Sequence, residues 1–319
     1  MSTTCNCHSN NTNGATQQNV DYSKMHALTA ILNPQTLGRA GKKSKVLLYQ
    51  SLTQNGSWNS CPGQPWQSFT MSPVLKLGSN LVSLVVDDVV HVYGVTAHDS
   101  SICLLSPVYQ PLKEAKIGLE MTGKIVGCTD GKGTGWIYYQ SKDSEKRGCI
   151  WEKNLSKPND RARKIGDSEK AMLGTDIVAF HDGKRRWIVY QNWTNDNVSE
   201  VEMVCCDDKS ILTIKNTSNA IDEKFIEIAA TTAVNTKTNK NMMYIYFRDH
   251  KAQLQVYAAE INDNAPKFRA PSEINVSGGL GKLDLDSSIA FLPDKDGIVI
   301  YAIPDGGDSF DSFFDEFSD

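Results

Sequence analysis

One kind of strand recurs six times along this 319-residue chain, and it limits the fold more than any other feature. Each copy is a short apolar run ending on or beside a tyrosine, as in KVLLYQ, WIYYQ and WIVYQ. The tyrosines recur at spacings between the mid-forties and the mid-fifties in residues. Repeats of this length indicate stacked units, each burying its faces against the next. The six tyrosines are Tyr49, Tyr93, Tyr139, Tyr190, Tyr246 and Tyr301.

Each aromatic strand follows a strand rich in small residues, such as those around Gly127, Ala179 and Ala229. Turn signals such as Asp130-Gly131 and Asp182-Gly183 separate the two. No long stretch shows the periodicity of a helix. A unit of ~40 to 50 residues with about four strands is typical of a propeller blade. The sequence therefore predicts an all-β fold, a six-bladed β-propeller.

The two ends of the chain differ from the repeats in composition. Residues 1–22 are rich in Ser, Thr, Asn and Gln, which predicts a disordered N-terminal tail. Residues 23–307 are predicted to form a single propeller. Residues 308–319 are acidic and aromatic and are predicted to form a mobile C-terminal tail, with docking on the body or a lid over a pocket as alternatives.

Composition excludes several classes of function. The net charge is −4 and no basic block is present, so no nucleic-acid partner is predicted. No apolar run reaches the ~18 to 20 residues of a membrane span. The cysteines form no paired C-x-x-C motif, and phosphate-binding, nucleophile-elbow and zinc-protease motifs are missing. We therefore predict no metal and no cofactor.

The repeats resemble the fungal fucose-specific lectins of the Aleuria aurantia type over residues 25–304. In that family an Arg opens the second strand of a blade and acts with a Glu about twelve residues later. A Trp or Tyr of the neighbouring blade packs on the sugar. These groups satisfy the hydroxyls and cover the apolar face of the ring.

This chain departs from the pattern of the family at the Arg position. None of the six residues there is an Arg, and the Glu is kept only at Glu152 and Glu200. Hydroxyls desolvated without partners would weaken binding, so the fucose sites are expected to be lost. The six residues at the Arg position are Val46, Val90, Trp136, Trp187, Tyr244 and Ile298.

Three of these positions carry large aromatic residues in successive units, Trp136, Trp187 and Tyr244. They are predicted to line successive clefts between blades, either as hydrophobic filling or as the substrate-binding walls of an apolar pocket. A lectin-like propeller without sugar sites is also similar to the fungal hetero-Diels–Alderases of tropolone–sesquiterpenoid pathways. That resemblance, which rests on the fold, implies cycloaddition of a tropolone o-quinone methide with a sesquiterpene alkene such as humulene.

A pericyclase of this kind would hold two apolar small molecules together in a dry pocket. A hydrogen-bond donor or general acid would assist formation and activation of the quinone methide. The candidate catalytic residues are His91, Glu152, Arg186 and Glu200.

Three other functions stay open at this point. One is a carbohydrate-binding lectin with degenerate sites, which would use Glu152 or Glu200 with a neighbouring Trp. Another is a glycosidase with both carboxylates in one cleft. The third is a non-catalytic interaction scaffold.

Oligomeric state and localisation are also left open by the sequence. Lectins of this fold often form a homodimer, but no interface is readable here. No secretory leader is visible, whereas seven N-x-S/T sequons are compatible with the secretory route.

Overall fold

Strands make up nearly all of the regular structure in the computed structural model of the protein. Among the residues that it describes, none forms a helix with the length and apolarity needed to cross a membrane. The description covers residues 27–32, 46–51, 75–76, 79–118, 124–142, 147–166, 168, 171–195, 198–214, 217, 227–248, 254–261, 272–273, 276–277, 283, 289–307 and 311–317.

The described strands form five antiparallel sheets. The nine-stranded sheet comprises two blades, so the strands are assigned here to blades 1 to 6. Blade 1 contains β1 (Ala27–Leu32) and β2 (Val46–Ser51). Blade 2 contains β3 (Val82–Val86), β4 (Val89–Val95), β5 (Ser101–Ser106) and β6 (Gln110–Lys116). Blade 3 contains β7 (Ile125–Thr129), β8 (Gly135–Lys142), β9 (Arg147–Asn154) and β10 (Arg163–Lys164).

The short strand β11 (Ala171–Met172) pairs with strands of both blade 3 and blade 4 and so links them. Blade 4 contains β12 (Ile177–His181), β13 (Arg186–Asn195), β14 (Val198–Cys205) and β15 (Ile211–Ile214). Blade 5 contains β16 (Ile228–Asn235), β17 (Lys240–Arg248), β18 (Leu254–Glu260) and β19 (Ser272–Glu273). Blade 6 contains β20 (Val276–Ser277), β21 (Ala290–Pro293), β22 (Gly297–Ala302) and β23 (Asp311–Glu316).

The first strands of the blades form a closed ring. β1 contacts β3, and the contacts continue through β7, β12, β16 and β21 and back to β1. Side chains are crowded here: a Cβ on Gly127 would lie 2.9 Å from Leu84 Cδ1 and 2.9 Å from the carbonyl oxygen of Trp136. This ring is the axis of a six-bladed β-propeller, as the repeats predicted.

The aromatic strands are buried because both of their faces are covered by neighbouring blades. Successive side chains of a strand point to opposite faces. Tyr139 accordingly packs in a hydrophobic cluster with blade 2, while Tyr138 packs in another with blade 4. The repeated tyrosines Tyr93, Tyr139, Tyr190 and Tyr246 are all buried, which confirms that they belong to the core between blades. The side chain of Tyr49 lies outside the described residues.

Polar residues just before the first strands tie neighbouring blades together at one end of the axis. Asn80 accepts from the backbone N–H of Ile125 at 2.7 Å, and Glu227 accepts from that of Ile289 at 2.9 Å. Asp176 forms an ion pair with Lys124 at 2.7 Å. Each of these bonds stabilises the start of the next blade, so the axis contains a partly buried charged cluster.

We expect Glu227 to make the protein less stable as pH rises from about 5 to about 7. Burial raises the pKa of Glu227 from 4.5, the ordinary value for a glutamate side chain, to about 7. Asp176 adds to this rise, while Lys124 and Arg248 oppose it. The unfolded chain therefore loses the proton first as pH rises, and stability falls by on the order of 1 kcal/mol per pH unit in this window.

Urea denaturation of wild type and Glu227→Gln between about pH 5 and pH 7 measures this effect. The variant stays neutral, so its stability should depend less steeply on pH than that of wild type. Glu260→Gln, at a half-exposed carboxylate paired with Lys240, is the control and should keep the wild-type slope. Equal slopes for wild type and Glu227→Gln would contradict the prediction.

The C-terminal segment is part of the propeller rather than a separate tail. β23 pairs with β22 along its whole length and with β20 on its other side. Tyr246 of blade 5 donates to Asp315 at 2.8 Å, and Phe317 stacks on Tyr244 with 5.4 Å between ring centroids. Residues 311–317 are thus docked on the body, the alternative to a mobile end, and the adjacent Phe313 and Phe314 lie on opposite faces of the strand. The predicted N-terminal tail, residues 1–22, lies outside the described residues.

Candidate functional site

A cleft of about 480 Å³ lies between blades 3 and 4. Strand ends supply its walls, because antiparallel pairing brings residues distant in sequence to the same edge. Arg163 on β10 lies opposite Glu152 on β9, and His181 at the end of β12 lies opposite Arg186 at the start of β13. The residues that matter most here are Trp136, Glu152, Arg163, His181, Arg186 and Asp207.

Glu152 is buried between two guanidinium groups. Arg163 Nε donates to its Oε1 at 2.6 Å, and Arg186 Nη1 donates to its Oε2 at 2.7 Å. The side chain of Glu152 is only 4% exposed, whereas that of Arg163 is 55% exposed. A buried carboxylate with two charge-assisted bonds is fixed in position, and it holds both arginines at the cleft.

Asp207 completes the network on the side of blade 4. Its carboxylate accepts from the backbone N–H of Arg186 at 2.8 Å, from Nε at 3.0 Å and from Nη2. Burial works against ionisation of Asp207, but these hydrogen bonds outweigh it and lower the pKa of the carboxyl. The hydrogen bond to Glu152 raises the pKa of Arg163. The ionised forms of both side chains are therefore stabilised within the network.

Trp136 supplies an aromatic surface beside this network. The guanidinium carbon of Arg186 lies 4.6 Å from the centroid of the Trp136 ring, within cation–π range. The His181 ring is parallel to the indole, with 6.4 Å between centroids. His181 Nδ1 accepts from the backbone N–H of Gly183 at 3.0 Å, which fixes the orientation of the imidazole. Aromatic, cationic and anionic groups thus meet in one cleft.

A buried lysine holds the outer wall of the cleft. Lys153 is 1% exposed, and its Nζ donates to the carbonyl oxygen of Pro158 at 2.9 Å and to that of Asp160. The segment that follows β9 is therefore tied back to the strand. Lys153 is a positioning residue for the loop that leads to Arg163.

The structure brings together three of the seven residues predicted for the site, namely Trp136, Glu152 and Arg186. Although none of the six aligned positions carries an arginine, the candidate residue Arg186 brings one into this cleft. Arg186 stands one position before the aligned Trp187, and successive strand residues face opposite sides. It therefore reaches back to blade 3, whereas Trp187 faces blade 5.

The other four predicted residues lie elsewhere. Trp187 is 1% exposed in the hydrophobic cluster between blades 4 and 5, and its indole N–H donates to Asp182 at 2.7 Å. Tyr244 is buried in the cluster between blades 5 and 6. His91 lies on blade 2, where its Nδ1 is 3.2 Å from the hydroxyl of Tyr93 and burial lowers its pKa.

Glu200, the fourth of them, cannot share the cleft with Glu152. Glu200 lies on β14 opposite Asn192 of β13. Arg186 lies at the other end of β13, where its carbonyl oxygen accepts from the backbone N–H of Cys206. Six residues along a strand correspond to roughly 20 Å. A glycosidase with these two carboxylates in one cleft, an alternative open from the sequence, therefore has no geometric support.

Sequence reasoning missed Arg163, His181 and Asp207. Arg163 lies in the polar run KPNDRARK, which reads as a solvated loop. The other two occupy hairpin ends, where charged residues are common. Neither signal distinguishes a site from an ordinary turn. In the described part of the chain, no group of three or more His, Cys, Asp or Glu side chains could hold a metal ion.

Comparison with known proteins gives distant relatives in sequence. No protein-family model matches this chain. A protein named wall-associated proteinase, from Coccidioides immitis strain RS, is 24% identical over 268 residues, covering 75% of this chain and 80% of the relative. Its counterpart in Coccidioides posadasii is 23% identical over 262 residues, with the same coverage of both chains.

Solved structures match over nearly the whole chain. The fucose-specific lectin from Aleuria aurantia is 17% identical, with a TM-score of 0.63 and 91% of each chain covered. A variant of that lectin in complex with α-methyl-L-fucoside has a TM-score of 0.58, with 17% identity and 89% of each chain covered. AofleA from Arthrobotrys oligospora is 11% identical, with a TM-score of 0.61 over 91% of this chain and 86% of its own. This chain therefore shares its six-bladed propeller fold with fungal lectins.

Proposed function

We propose that the cleft between blades 3 and 4 binds a carbohydrate and that the protein is a lectin. The observation that carries the proposal is the buried Glu152, held between Arg163 and Arg186 beside the ring of Trp136. A sugar needs fixed donors and acceptors for its hydroxyls and an apolar surface for its C–H face. The cleft offers all three kinds of group.

The arginines have bonding capacity beyond the network. A guanidinium carries five N–H donors. Nε of Arg163 donates to Glu152, and Nη2 makes a long 3.5 Å contact with the carbonyl oxygen of Cys206. Because more than half of this side chain is exposed, its remaining donors can meet sugar hydroxyls. The half-exposed Asp207 adds acceptors on the opposite wall.

The neighbouring structures suggest which sugar to test first. One of them holds α-methyl-L-fucoside, and another is a triple arginine-to-alanine variant of AofleA. Fucose is therefore the first candidate for this cleft. In this chain Arg186 stands one residue before the position at which the family has its arginine. Other monosaccharides therefore belong in the same screen.

We expect Arg163→Ala to weaken binding of the cognate sugar by at least tenfold. Loss of a single hydrogen bond from a charged donor accounts for a change of this size, since such a bond contributes about 1.5 to 3 kcal/mol and a tenfold change corresponds to about 1.4 kcal/mol. A glycan array identifies the ligand, and calorimetric titration of wild type and variant measures the affinities. The buried Glu152 keeps Arg186 as a partner in this variant, so the protein should stay folded.

Two further variants serve as controls for this measurement. Arg163→Lys keeps the charge but loses the planar fork, so its affinity should lie between those of wild type and Arg163→Ala. Lys240→Ala removes an exposed cation on blade 5 and should bind like wild type. Wild-type affinity in Arg163→Ala would place the ligand outside this cleft. An empty glycan screen would rule out the lectin proposal.

The hetero-Diels–Alder hypothesis stays a prediction. Two apolar partners require dry apolar walls, whereas the cleft at Trp136 is lined by nine charged side chains, Glu152 and Arg186 among them. Trp187 and Tyr244, predicted as further walls, are buried in hydrophobic clusters. The cleft therefore favours the carbohydrate ligand. Incubation with humulene and a hydroxymethyl tropolone would test the hypothesis directly.

The names of the curated relatives suggest proteolysis, which by a cysteine mechanism needs a reactive thiolate. Cys128, the cross-strand partner of Trp136, and Cys206 are the cysteines nearest to the cleft residues in the sheet. Burial raises the pKa of Cys128 to about 12 and also raises that of Cys206. Both are therefore neutral thiols, and neither supports extending that function to this chain.

A further inference from the structure

A second cavity, of about 680 Å³, adjoins the cleft. Three blades contribute to it through the ends of their first strands. Residues of the turn after β12, of the β16–β17 hairpin and of the β21–β22 turn line it. Its size is within the range of small-molecule sites in proteins.

The lining of this second cavity differs from that of the cleft. Ala233, Val234, Ile261 and Pro293 present apolar surface. The side chain of Val234 is 50% exposed although it is aliphatic. Thr236 donates to Asp296 at 3.2 Å and so joins the rims of blades 5 and 6. The cavity thus combines this apolar surface with polar and charged side chains, Asp294 and Lys295 among them.

His181 connects the two spaces, because it lines both the cleft and the second cavity. Its ring stacks parallel to Trp136, and its Nδ1 is bonded to the β12–β13 turn. A ligand seated on the charged network of blades 3 and 4 therefore lies one side chain away from an apolar space.

We propose that the second cavity holds the apolar aglycone of a glycoconjugate whose sugar occupies the cleft. This rests on the proposed function and extends it from free sugars to glycosides with an alkyl or aryl group. The polar cleft suits the hydroxyls of the sugar. Burial of a hydrocarbon group against the apolar side chains around Val234 is favourable. Because His181 lines both spaces, a single amphipathic ligand is the occupant of both.

The test compares methyl and octyl glycosides of the sugar found by the glycan array, beginning with the α-L-fucosides. We expect the octyl glycoside to bind at least tenfold more tightly to wild type, equivalent to about 1.4 kcal/mol. Val234→Glu places a charge in the second cavity and should abolish that gain while leaving methyl glycoside affinity unchanged. The residue is half exposed, so the substitution should not affect folding.

A matched control uses another exposed valine. Val108 is 67% exposed on blade 2 and lines neither space, so Val108→Glu should keep the octyl gain. Equal affinity of wild type for both glycosides would overturn the second-cavity proposal and leave the lectin proposal intact. An octyl gain that persists in Val234→Glu would also overturn it. If neither glycoside binds, the lectin proposal fails and the aglycone proposal fails with it.

Discussion

Glu152→Ala should lower the free energy of unfolding by about 3 kcal/mol and abolish ligand binding in the cleft. Removing one partner of a buried ion pair leaves the other charge uncompensated, which typically costs about 3 to 5 kcal/mol. Arg186, whose side chain is only 11% exposed, would keep Asp207 as its single carboxylate partner, so the expected cost lies at the low end of this range. Arg163 would contribute less, because water can replace its lost partner. Urea denaturation measures the stability, and titration with the cognate sugar measures binding.

Glu152→Gln is the matched control for this prediction. The amide keeps the volume and one acceptor but loses the charge, so its stability should lie between those of wild type and Glu152→Ala. Arg186 also keeps Asp207 as a partner in both variants. Wild-type stability in Glu152→Ala would mean that the carboxylate adds nothing to the interface between blades 3 and 4. The network would then be a surface feature rather than a fixed binding site.

The fold was predictable because the repeated strand has apolar side chains that must be buried on both of its faces. A strand that ends in two aromatic residues, such as Tyr138 and Tyr139, buries one side chain on each face. That pattern needs a neighbour on both sides, which six stacked blades provide. Small residues such as Gly127 marked the crowded first strands for the same reason. Periodicity and residue size are both visible in a sequence.

The candidate site was only partly predictable, because its residues come from different blades. Aligning the repeats placed Trp187 where the family has an arginine, and a shift of one residue exchanges the two faces of a strand. Arg186 therefore reaches a carboxylate 34 residues away along the chain. Arg163 approaches Glu152 through the two-residue strand β10, which carries no hydrophobic alternation. Contacts between blades depend on three-dimensional stacking, which the repeat alone does not encode.

The acidic residues of the C-terminal segment made its strand difficult to predict from the sequence. Acidic residues made Asp311–Glu316 read as a solvated tail, yet it forms a strand in which the adjacent Phe313 and Phe314 point to opposite faces. Burial opposes ionisation of Asp315 and raises its pKa, while the hydroxyl of Tyr246 donates to it. A cross-blade partner thus makes an acidic residue compatible with a half-buried strand.

Phe317→Ala should lower the free energy of unfolding by about 3 to 4 kcal/mol. Phe317 is 2% exposed and stacks on Tyr244 of blade 5, so it joins the last strand of the chain to the preceding blade. Truncating a buried Phe removes apolar contacts and leaves a cavity, which typically costs about 3 to 5 kcal/mol. The backbone N–H of Phe317 also bonds to the carbonyl oxygen of Asp296, so the ring has a fixed position. Chemical denaturation of wild type and variant measures the difference.

Phe317→Leu is the control, because a leucine of similar volume keeps most of the burial and should cost less than about 1.5 kcal/mol. Ser312→Ala, at an exposed position of β23, should be close to neutral. A mobile tail would give a different result, with all three variants as stable as wild type. A large loss for Phe317→Ala alone would instead show that the propeller needs its C-terminal strand, because blade 6 is then held to blade 5 by the last residues of the chain.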